Sequence, residues 1–202
     1  MNTSRETIFK SIRDALSPIK ERAARPSVPR GVADAKWLPD EADSIALFKK
    51  QATASGTLCF TDLESLAKWL ESEKTRLLFI PSEFKPLVDF FSSRMNVTTE
   101  YTRAKVDEID ACITPAAAGI AESGTIVITD ESTPDRLAAL APWYHIALLD
   151  RADIHRTIGD ALAAMPKDPN IIWVTGPSKT ADVEGILIQG VHGPGAQACL
   201  IV

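Results

Sequence analysis

The sequence predicts an α/β fold in which a mixed β-sheet has helices on both faces, forming three layers. Short apolar runs typical of strands alternate with amphipathic segments typical of helices along most of the chain. Two strand-like runs in the middle follow each other without a full helix between them, which makes the sheet mixed rather than purely parallel. The chain has 202 residues, of which 45% are hydrophobic and 24% charged, as in ordinary globular proteins. We therefore expect one α/β domain over residues 37–202, preceded by a helix and an extended arm over residues 1–36.

The N-terminal segment begins with a helix signal. Thr3-Ser-Arg-Glu6 fits a capping box, and Ile8, Ile12 and Leu16 follow at the spacing of one helical face. Pro18 ends this pattern, and residues 17–37 are rich in proline, arginine and glycine, which predicts an extended arm. Two interpretations stay open, a flexible tail and an arm that packs on a neighbouring subunit.

The first half of the domain alternates regularly between helices and strands. The patterns predict helices over residues 40–55 and 83–94, a helix that opens at residues 61–64, and strands over residues 57–60, 76–81 and 97–101. The helix that opens at residues 61–64 begins with the capping box Thr61-Asp-Leu-Glu64 and turns Leu63, Leu66 and Leu70 inward.

The second half begins with two strands, over residues 111–115 and 124–129, which we expect to form a hairpin-like or mixed-sheet insertion. The alternation then resumes with helices over residues 134–140 and 153–165 and strands over residues 145–149 and 171–175. A final apolar run ends at Val202.

Charge and cysteine spacing exclude several classes of protein. The formal net charge of −5 argues against a nucleic-acid partner, and no apolar stretch approaches the roughly 20 residues that span a bilayer. The N-terminus lacks a long apolar signal segment, which predicts a cytoplasmic protein. Cys59, Cys112 and Cys199 are far apart and are expected to be reduced, buried, small hydrophobic residues. Since there is no C-x-x-C motif, we expect neither an iron–sulfur cluster nor a metal ion nor another cofactor.

The segment after the apolar run 171–175 carries the strongest candidate for a binding site. Glycine and proline end the run, and the chain is expected to turn into a helix at the carboxyl end of the strand, where open α/β sheets place their ligands. One interpretation is helix capping, with the carboxylates in the first turns. The other is recognition of a carboxylate or phosphate by backbone N–H groups and a lysine ammonium. The residues concerned are Gly176, Ser178, Lys179, Thr180, Asp182 and Glu184.

Two further constellations could contribute to the same crevice. Glu122, followed by Ser123, Gly124 and Thr125, is either a turn residue facing water or a carboxylate acting as a nucleophile, base or ligand anchor. Histidines lie at two predicted strand boundaries, His145 after Pro142 and His192 before Gly193, where an imidazole can donate or accept near neutral pH. His155 falls in a predicted helix and is assigned to the surface.

These segments together resemble the LUD-domain family, and within it the lactate utilization protein C group. The resemblance rests on Gly-Ile-Ala-Glu-Ser-Gly-Thr125, on Pro142 with His145, on Gly-Pro-Ser-Lys-Thr-Ala-Asp182 with Glu184, and on Gly-Val-His-Gly-Pro194. It implies a fold similar to the NagB/RpiA/CoA transferase-like superfamily. It also implies a role in the oxidation of L-lactate to pyruvate, beside two iron–sulfur partner proteins.

Three functional hypotheses follow. The first is an accessory component of lactate utilisation that binds a small anionic ligand, a carboxylate or a phosphate-bearing molecule. The second is an autonomous transferase, ligase or isomerase that acts through Glu122 on a small carboxylate or a CoA thioester. In the E-x-G-x-x-G pattern of CoA transferases, the second glycine would fall at Val127. This departure from the pattern argues against acyl transfer. The third is a structural protein that forms homo-oligomers or holds partners through its N-terminal arm. Whether the chain is an enzyme is left open.

Overall fold

The computed structural model describes residues 4–19, 43–130, 132–133, 136–165, 170–181 and 187–202. The chain divides into two compact units, Met1–Pro39 and Asp40–Val202, each of which is described by itself. In the first unit, helix α1 spans Ser4–Leu16 and confirms the predicted N-terminal helix. None of its residues is buried, and Ile8, Ile12 and Leu16 are exposed.

The second unit is built around a six-stranded parallel sheet. Its strands are β1 (Thr57–Phe60), β2 (Leu77–Phe79), β3 (Asn96–Thr98), β4 (Ala111–Pro115), β7 (Tyr144–Leu149) and β12 (Ala196–Ile201). They lie in the order β1-β12-β7-β4-β2-β3, and every neighbouring pair is parallel. The central strands read as continuous apolar runs because both faces of a parallel sheet are covered.

Two helices cover one face of this sheet, α3 (Leu63–Ser72) and α4 (Lys85–Ser92). Asp62 caps α3 by accepting a hydrogen bond from the Ser65 N–H at 2.8 Å. Leu66 and Leu70 are fully buried against residues of β2, β4 and β12, which confirms their predicted inward orientation, and Leu63 packs at the edge of the same cluster.

The opposite face is covered by α2 (Ser44–Ala54), α5 (Arg136–Leu140) and a second sheet. That sheet consists of β5 (Ala118–Ile120), β6 (Thr125–Thr129), β8 (Ile154–His155) and β9 (Ile171–Val174), in the order β8-β5-β6-β9. Phe48 and Ala52 of α2 are buried between the two sheets with Cys199 and Ile126. The predicted α/β fold with helices on both faces of a sheet is therefore confirmed. The prediction that this sheet is mixed is wrong, because all its strand pairs are parallel and the antiparallel pairs of β6 with β5 and β9 lie in the smaller sheet, which shares the third layer with the helices.

The insertion in the middle of the domain is an antiparallel hairpin of β5 and β6. The predicted strand over residues 111–115 exists as β4, but it belongs to the large sheet. The hairpin instead begins at Ala118. The helix predicted over residues 153–165 is wrong in its first part, because Ile154 and His155 pair with β5 as strand β8. Helix α6 spans only Ile158–Ala164 and begins at a capping box of Thr157 and Asp160.

The helix expected after Thr175 is also replaced. Lys179–Ala181 form strand β10, which pairs with β11 (Leu187–Gln189) in a two-stranded antiparallel hairpin. The Ser178 N–H donates to the Pro194 carbonyl and the Ser178 carbonyl accepts from the Gly190 N–H, so the backbone here is held by distant residues rather than by a helical turn. Asp182 and Glu184 lie outside the described residues.

The cysteines behave largely as small hydrophobic residues. Cys112 and Cys199 are buried, Cys59 is half-buried, and all three are free thiols. Burial raises the pKa of each of these thiols, which keeps them protonated near neutral pH. Within the described ranges, no helix has the length and apolar character needed to cross a membrane.

Candidate functional site

Two glycine turns bring separate sequence motifs to the carboxyl end of α2. Gly124 has a φ of +65°, and a Cβ there would lie 2.1 Å from the Ala52 backbone nitrogen. Gly176 has a φ of +81°, and a Cβ there would lie 2.1 Å from the Ser55 carbonyl oxygen. Only glycine fits both the left-handed backbone and the close approach. The turn after β5 and the turn after β9 therefore pack against the same end of one helix.

A chain of hydroxyl groups joins the two motifs. Ser123 Oγ and Thr125 Oγ1 are hydrogen-bonded at 2.7 Å, and Thr125 Oγ1 is hydrogen-bonded to Thr175 Oγ1 at 2.7 Å. Thr175 immediately precedes Gly176, so the residues predicted around Glu122 and those predicted around Lys179 meet in space.

A third motif, the loop before β12, lies against Ser178. The Ser178 N–H donates to the Pro194 carbonyl at 2.9 Å, and the Gly190 N–H donates to the Ser178 carbonyl at 3.0 Å. A Cβ on Gly193 would lie 3.2 Å from Ser178 Cβ, so the loop that carries the exposed His192 touches this serine directly. Ser178, Lys179, His192 and Gly193 together form what we call the Lys179 cluster.

Lys179 itself lies at the carboxyl end of α2. Its exposed ammonium Nζ is 3.5 Å from the Ser55 carbonyl oxygen. This end of a helix carries a partial negative charge, which favours a nearby cation. An ammonium has three donors, so this single contact leaves it able to bind an anion as well.

The Lys179 cluster does not lie where the sequence predicted it, at the carboxyl end of a strand of the main sheet. It lies beside the amino end of β12 rather than at the carboxyl ends of the large sheet. The reason is that β9 belongs to the smaller sheet and delivers the chain to the end of α2, just before β1 begins. A Cβ on Gly56, the residue before β1, would be 3.2 Å from the Pro177 ring. The backbone at the start of β12 is likewise tied to the start of β7, since the Ala196 N–H donates to the Trp143 carbonyl.

His145 lies in the core instead of at this surface. The ring is fully buried, with Nε2 2.8 Å from Thr114 Oγ1 and Nδ1 2.8 Å from Gln197 Oε1. Gln197 Nε2 donates to the Ala198 carbonyl, so its Oε1 accepts from His145 Nδ1–H, and the Thr114 hydroxyl donates to Nε2. Burial lowers the pKa of His145 to about 4, although the Gln197 hydrogen bond opposes the shift. The histidine is therefore neutral and links the three strands β4, β7 and β12.

Glu122 is positioned by α6. One carboxylate oxygen, Oε1, accepts a hydrogen bond from the Ile158 N–H at 2.7 Å, and the Glu122 N–H donates to the Arg156 carbonyl. This places its charge at the amino end of α6, where the helix dipole stabilises an anion. Its carboxylate thus contacts the amino end of this helix, whereas its neighbour Ser123 belongs to the hydroxyl chain.

Trp143, for which the sequence predicted no ligand role, has its indole ring against the loop that carries His192. A Cβ on Gly190 would lie 2.5 Å from this ring and one on Gly195 would lie 2.4 Å from it. Trp143 is nevertheless 51% exposed. The available signal was the pair Gly190 and Gly195 on either side of His192, but nothing in their spacing identifies Trp143, which lies far earlier in the chain, as their partner.

Thr180 lies in β10 opposite Ile188 and is half-buried. Among the parts of the chain that the structure describes, no group of three histidine, cysteine or carboxylate side chains is arranged to hold a metal ion.

Comparison with known proteins places these motifs in a family. The family model of the LUD domain matches residues 33–202. Lactate utilization protein C of Deinococcus radiodurans is 32% identical over 106 residues, which cover 50% of this chain and 50% of that protein. Lactate utilization protein C of an Exiguobacterium species is 36% identical over 103 residues, which cover 47% of this chain and 45% of that protein. The matched part of the chain thus spans about half the length of these curated relatives.

A solved structure shares the fold. The crystal structure of a DUF162 family protein from Deinococcus radiodurans superposes with a TM-score of 0.58 and 21% sequence identity, covering 79% of this chain and 96% of that one.

Proposed function

The chain belongs to the LUD-domain family, and from that premise we propose that it is an accessory component of L-lactate utilisation that binds a small anion at the Lys179 cluster. The names of the relatives support the pathway. In this proposal the protein acts in the cytoplasm, beside iron–sulfur proteins that oxidise lactate to pyruvate. We also propose that its fold is similar to that of the NagB/RpiA/CoA transferase-like superfamily. A domain boundary near residue 36 is a further part of the proposal.

One observation supports the anion site: backbone hydrogen bonds between Ser178 and the 190–195 loop bring together the segments that carry Lys179 and His192. A lysine ammonium, an imidazole and a serine hydroxyl are all donors to a carboxylate or phosphate. The turns on which this cluster depends are fixed against α2 by Gly124 and Gly176 and joined by the hydrogen bond of Thr125 to Thr175.

The binding proposal is tested with the Lys179→Ala variant and titration calorimetry, with L-lactate and inorganic phosphate as separate probes. A hydrogen bond to a charged group contributes about 1.5–3 kcal/mol, so we expect the dissociation constant to rise roughly ten- to a hundredfold. The melting temperature should stay unchanged, because the ammonium is exposed and its contact with Ser55 is long.

The matched control is Lys68→Ala, which removes an exposed lysine from α3. This change should leave both the dissociation constant and the melting temperature unaltered. An unchanged dissociation constant together with a lowered melting temperature in Lys179→Ala would instead assign the lysine to helix capping.

The pathway is tested by deleting the gene and measuring growth on L-lactate as the carbon source. Impaired growth that is restored by the wild-type gene is the expected result. Unimpaired growth in a strain without a second copy of the gene would remove the chain from lactate utilisation.

The second candidate is a transferase-type enzyme that uses Glu122, whose neighbour Ser123 begins the hydroxyl chain to Thr175. In such a step the Glu122 carboxylate attacks the thioester carbonyl of an acyl-CoA, forms a mixed anhydride and releases the CoA thiolate. Mass spectrometry after incubation with a panel of acyl-CoA thioesters would detect the acyl adduct, and Glu122→Gln should abolish it. Unmodified protein throughout the panel would reject this candidate.

The partner surface in this proposal is α1. Its apolar residues Ile8, Ile12 and Leu16 are exposed on one side of the helix, a pattern typical of helices that bind another protein. We propose that this helix mediates homo-oligomer formation or holds the iron–sulfur partners.

A further inference from the structure

We propose that the indole ring of Trp143 is a stacking platform, and that the anion bound at the Lys179 cluster is a nucleotide-like ligand, a phosphate ester that carries a planar heteroaromatic base. This inference rests on the proposed anion site and specifies the chemical class of its ligand. It assigns the phosphate to Ser178, Lys179 and His192, and the base to the tryptophan.

The tryptophan ring is held in a fixed orientation. Gly190 and Gly195 approach it so closely that a Cβ on either would be 2.5 Å or less from a ring carbon. The Trp143 carbonyl also accepts a hydrogen bond from the Ala196 N–H at 3.0 Å, which anchors the backbone at the start of β12. A ring positioned in advance loses little freedom when a ligand stacks on it.

The exposure of this ring is the observation that points to a ligand. Large aromatic side chains are mostly buried, yet about half of Trp143 is open to solvent although two glycines make room for its ring. Trp69 provides a contrast within the same domain, since its ring packs against Phe60 and Tyr144, each at 5.6 Å between centroids. The glycines thus accommodate the Trp143 ring without burying it.

The same glycine loop connects the ring to the anion site. Gly190, which touches the ring, donates its N–H to the Ser178 carbonyl, and Gly193 contacts the Ser178 side chain. Ser178 is next to Lys179 in the chain. The exposed ring therefore packs on the same loop that carries His192 and contacts Ser178.

This combination matches a base joined to a phosphate better than it matches a small carboxylate. Base–aromatic stacking is sequence-tolerant because every base has a π-face, and cationic groups beside it hold the phosphate. Lactate or inorganic phosphate would occupy only the cationic part of the site and leave the ring uncovered.

The test compares the dissociation constants of adenosine 5′-monophosphate, ribose 5-phosphate and inorganic phosphate for the full-length protein. Stacking contributes enough to tighten binding by roughly five- to a hundredfold, so the nucleotide should bind that much more tightly than ribose 5-phosphate. Trp143→Leu keeps an apolar side chain without an aromatic face. It should abolish the difference between these two ligands while leaving ribose 5-phosphate binding unchanged.

Two further variants make the test independent of any loss of folding. Trp143→Phe keeps an aromatic ring and should retain most of the preference for the nucleotide. Trp173→Leu removes another exposed tryptophan, which lies on β9 opposite Val127, and should change nothing.

Three results would overturn the inference. Equal affinity of the wild-type protein for the nucleotide and ribose 5-phosphate would show that the ring does not contact the base, while the anion site would stand. Absence of binding by all three probes would reject the anion site as well. A change in sedimentation coefficient of Trp143→Leu, with ligand affinities unaltered, would assign the ring to a contact between subunits.

Discussion

His145 shows how a single buried residue makes the stability of this protein depend on pH. Burial lowers its folded-state pKa to about 4, whereas an unfolded histidine has a pKa near 6.5. The unfolded chain therefore binds more protons between these values, and the stabilisation present above pH 6.5 is lost as the pH falls towards 4. We predict that the free energy of unfolding decreases by about 3 kcal/mol across this window. Urea denaturation at a series of pH values measures it.

The control for this prediction replaces a histidine at the surface. His192→Gln should preserve the pH dependence of the free energy of unfolding. His145→Gln should flatten this dependence, even though it lowers the stability at all pH values.

A second variant, Gln197→Leu, leaves His145 Nδ1–H without its acceptor and should lower the free energy of unfolding by about 1–3 kcal/mol at neutral pH. If the free energy of unfolding depended on pH in His145→Gln as it does in the wild type, groups other than His145 would be the cause.

Among the elements, the packing of the β5–β6 turn on α2 is sensitive to a small change. At Gly124 an alanine would have a φ of +65° and a Cβ 2.1 Å from the Ala52 nitrogen, so the turn or the helix has to move. We predict that Gly124→Ala destabilises the protein by about 3 kcal/mol or more, at the level of a severe core mutation. Thermal and urea unfolding monitored by circular dichroism would measure the loss.

Gly159 provides the opposite case within helix α6. The nearest atom to a Cβ at this position is Thr157 Oγ1 at 3.7 Å, and alanine favours a helix over glycine by roughly 0.5–1 kcal/mol. Gly159→Ala should therefore raise the melting temperature slightly. If both alanine variants destabilised the protein equally, the close approach of Gly124 to α2 would not be the cause.

The elements that could be predicted from the sequence are those whose own residues determine them. The strands β1, β4 and β7 and the capped helix α3 follow from apolar runs and a capping box, and the structure confirms them. The hairpin of β10 and β11 could not be predicted, because the backbone at its start is fixed by hydrogen bonds of Ser178 to Pro194 and Gly190, which lie further along the chain. In the candidate site, the motifs around Gly124 and Gly176 were identified, but their common contact, the end of α2, is a tertiary feature that carries no local signal.

For the whole molecule, the division of the chain into two compact units predicts what removal of the first unit does to stability and association. The unit Asp40–Val202 has its own hydrophobic core, with clusters on both faces of the large sheet. Removing residues 1–39 should therefore leave its melting temperature within about 2 °C of that of the full chain, since the described residues of that segment, 4–19, are exposed and exposed residues contribute little to stability.

If α1 mediates homo-oligomer formation, the first of its two proposed roles, the truncated protein should also sediment as a monomer at concentrations where the full chain associates. Ile12→Glu in the full chain tests the same contact without a deletion, because it places a charge on that side of the helix. It should reproduce the loss of association, and equal sedimentation of all three proteins would show that α1 does not join subunits.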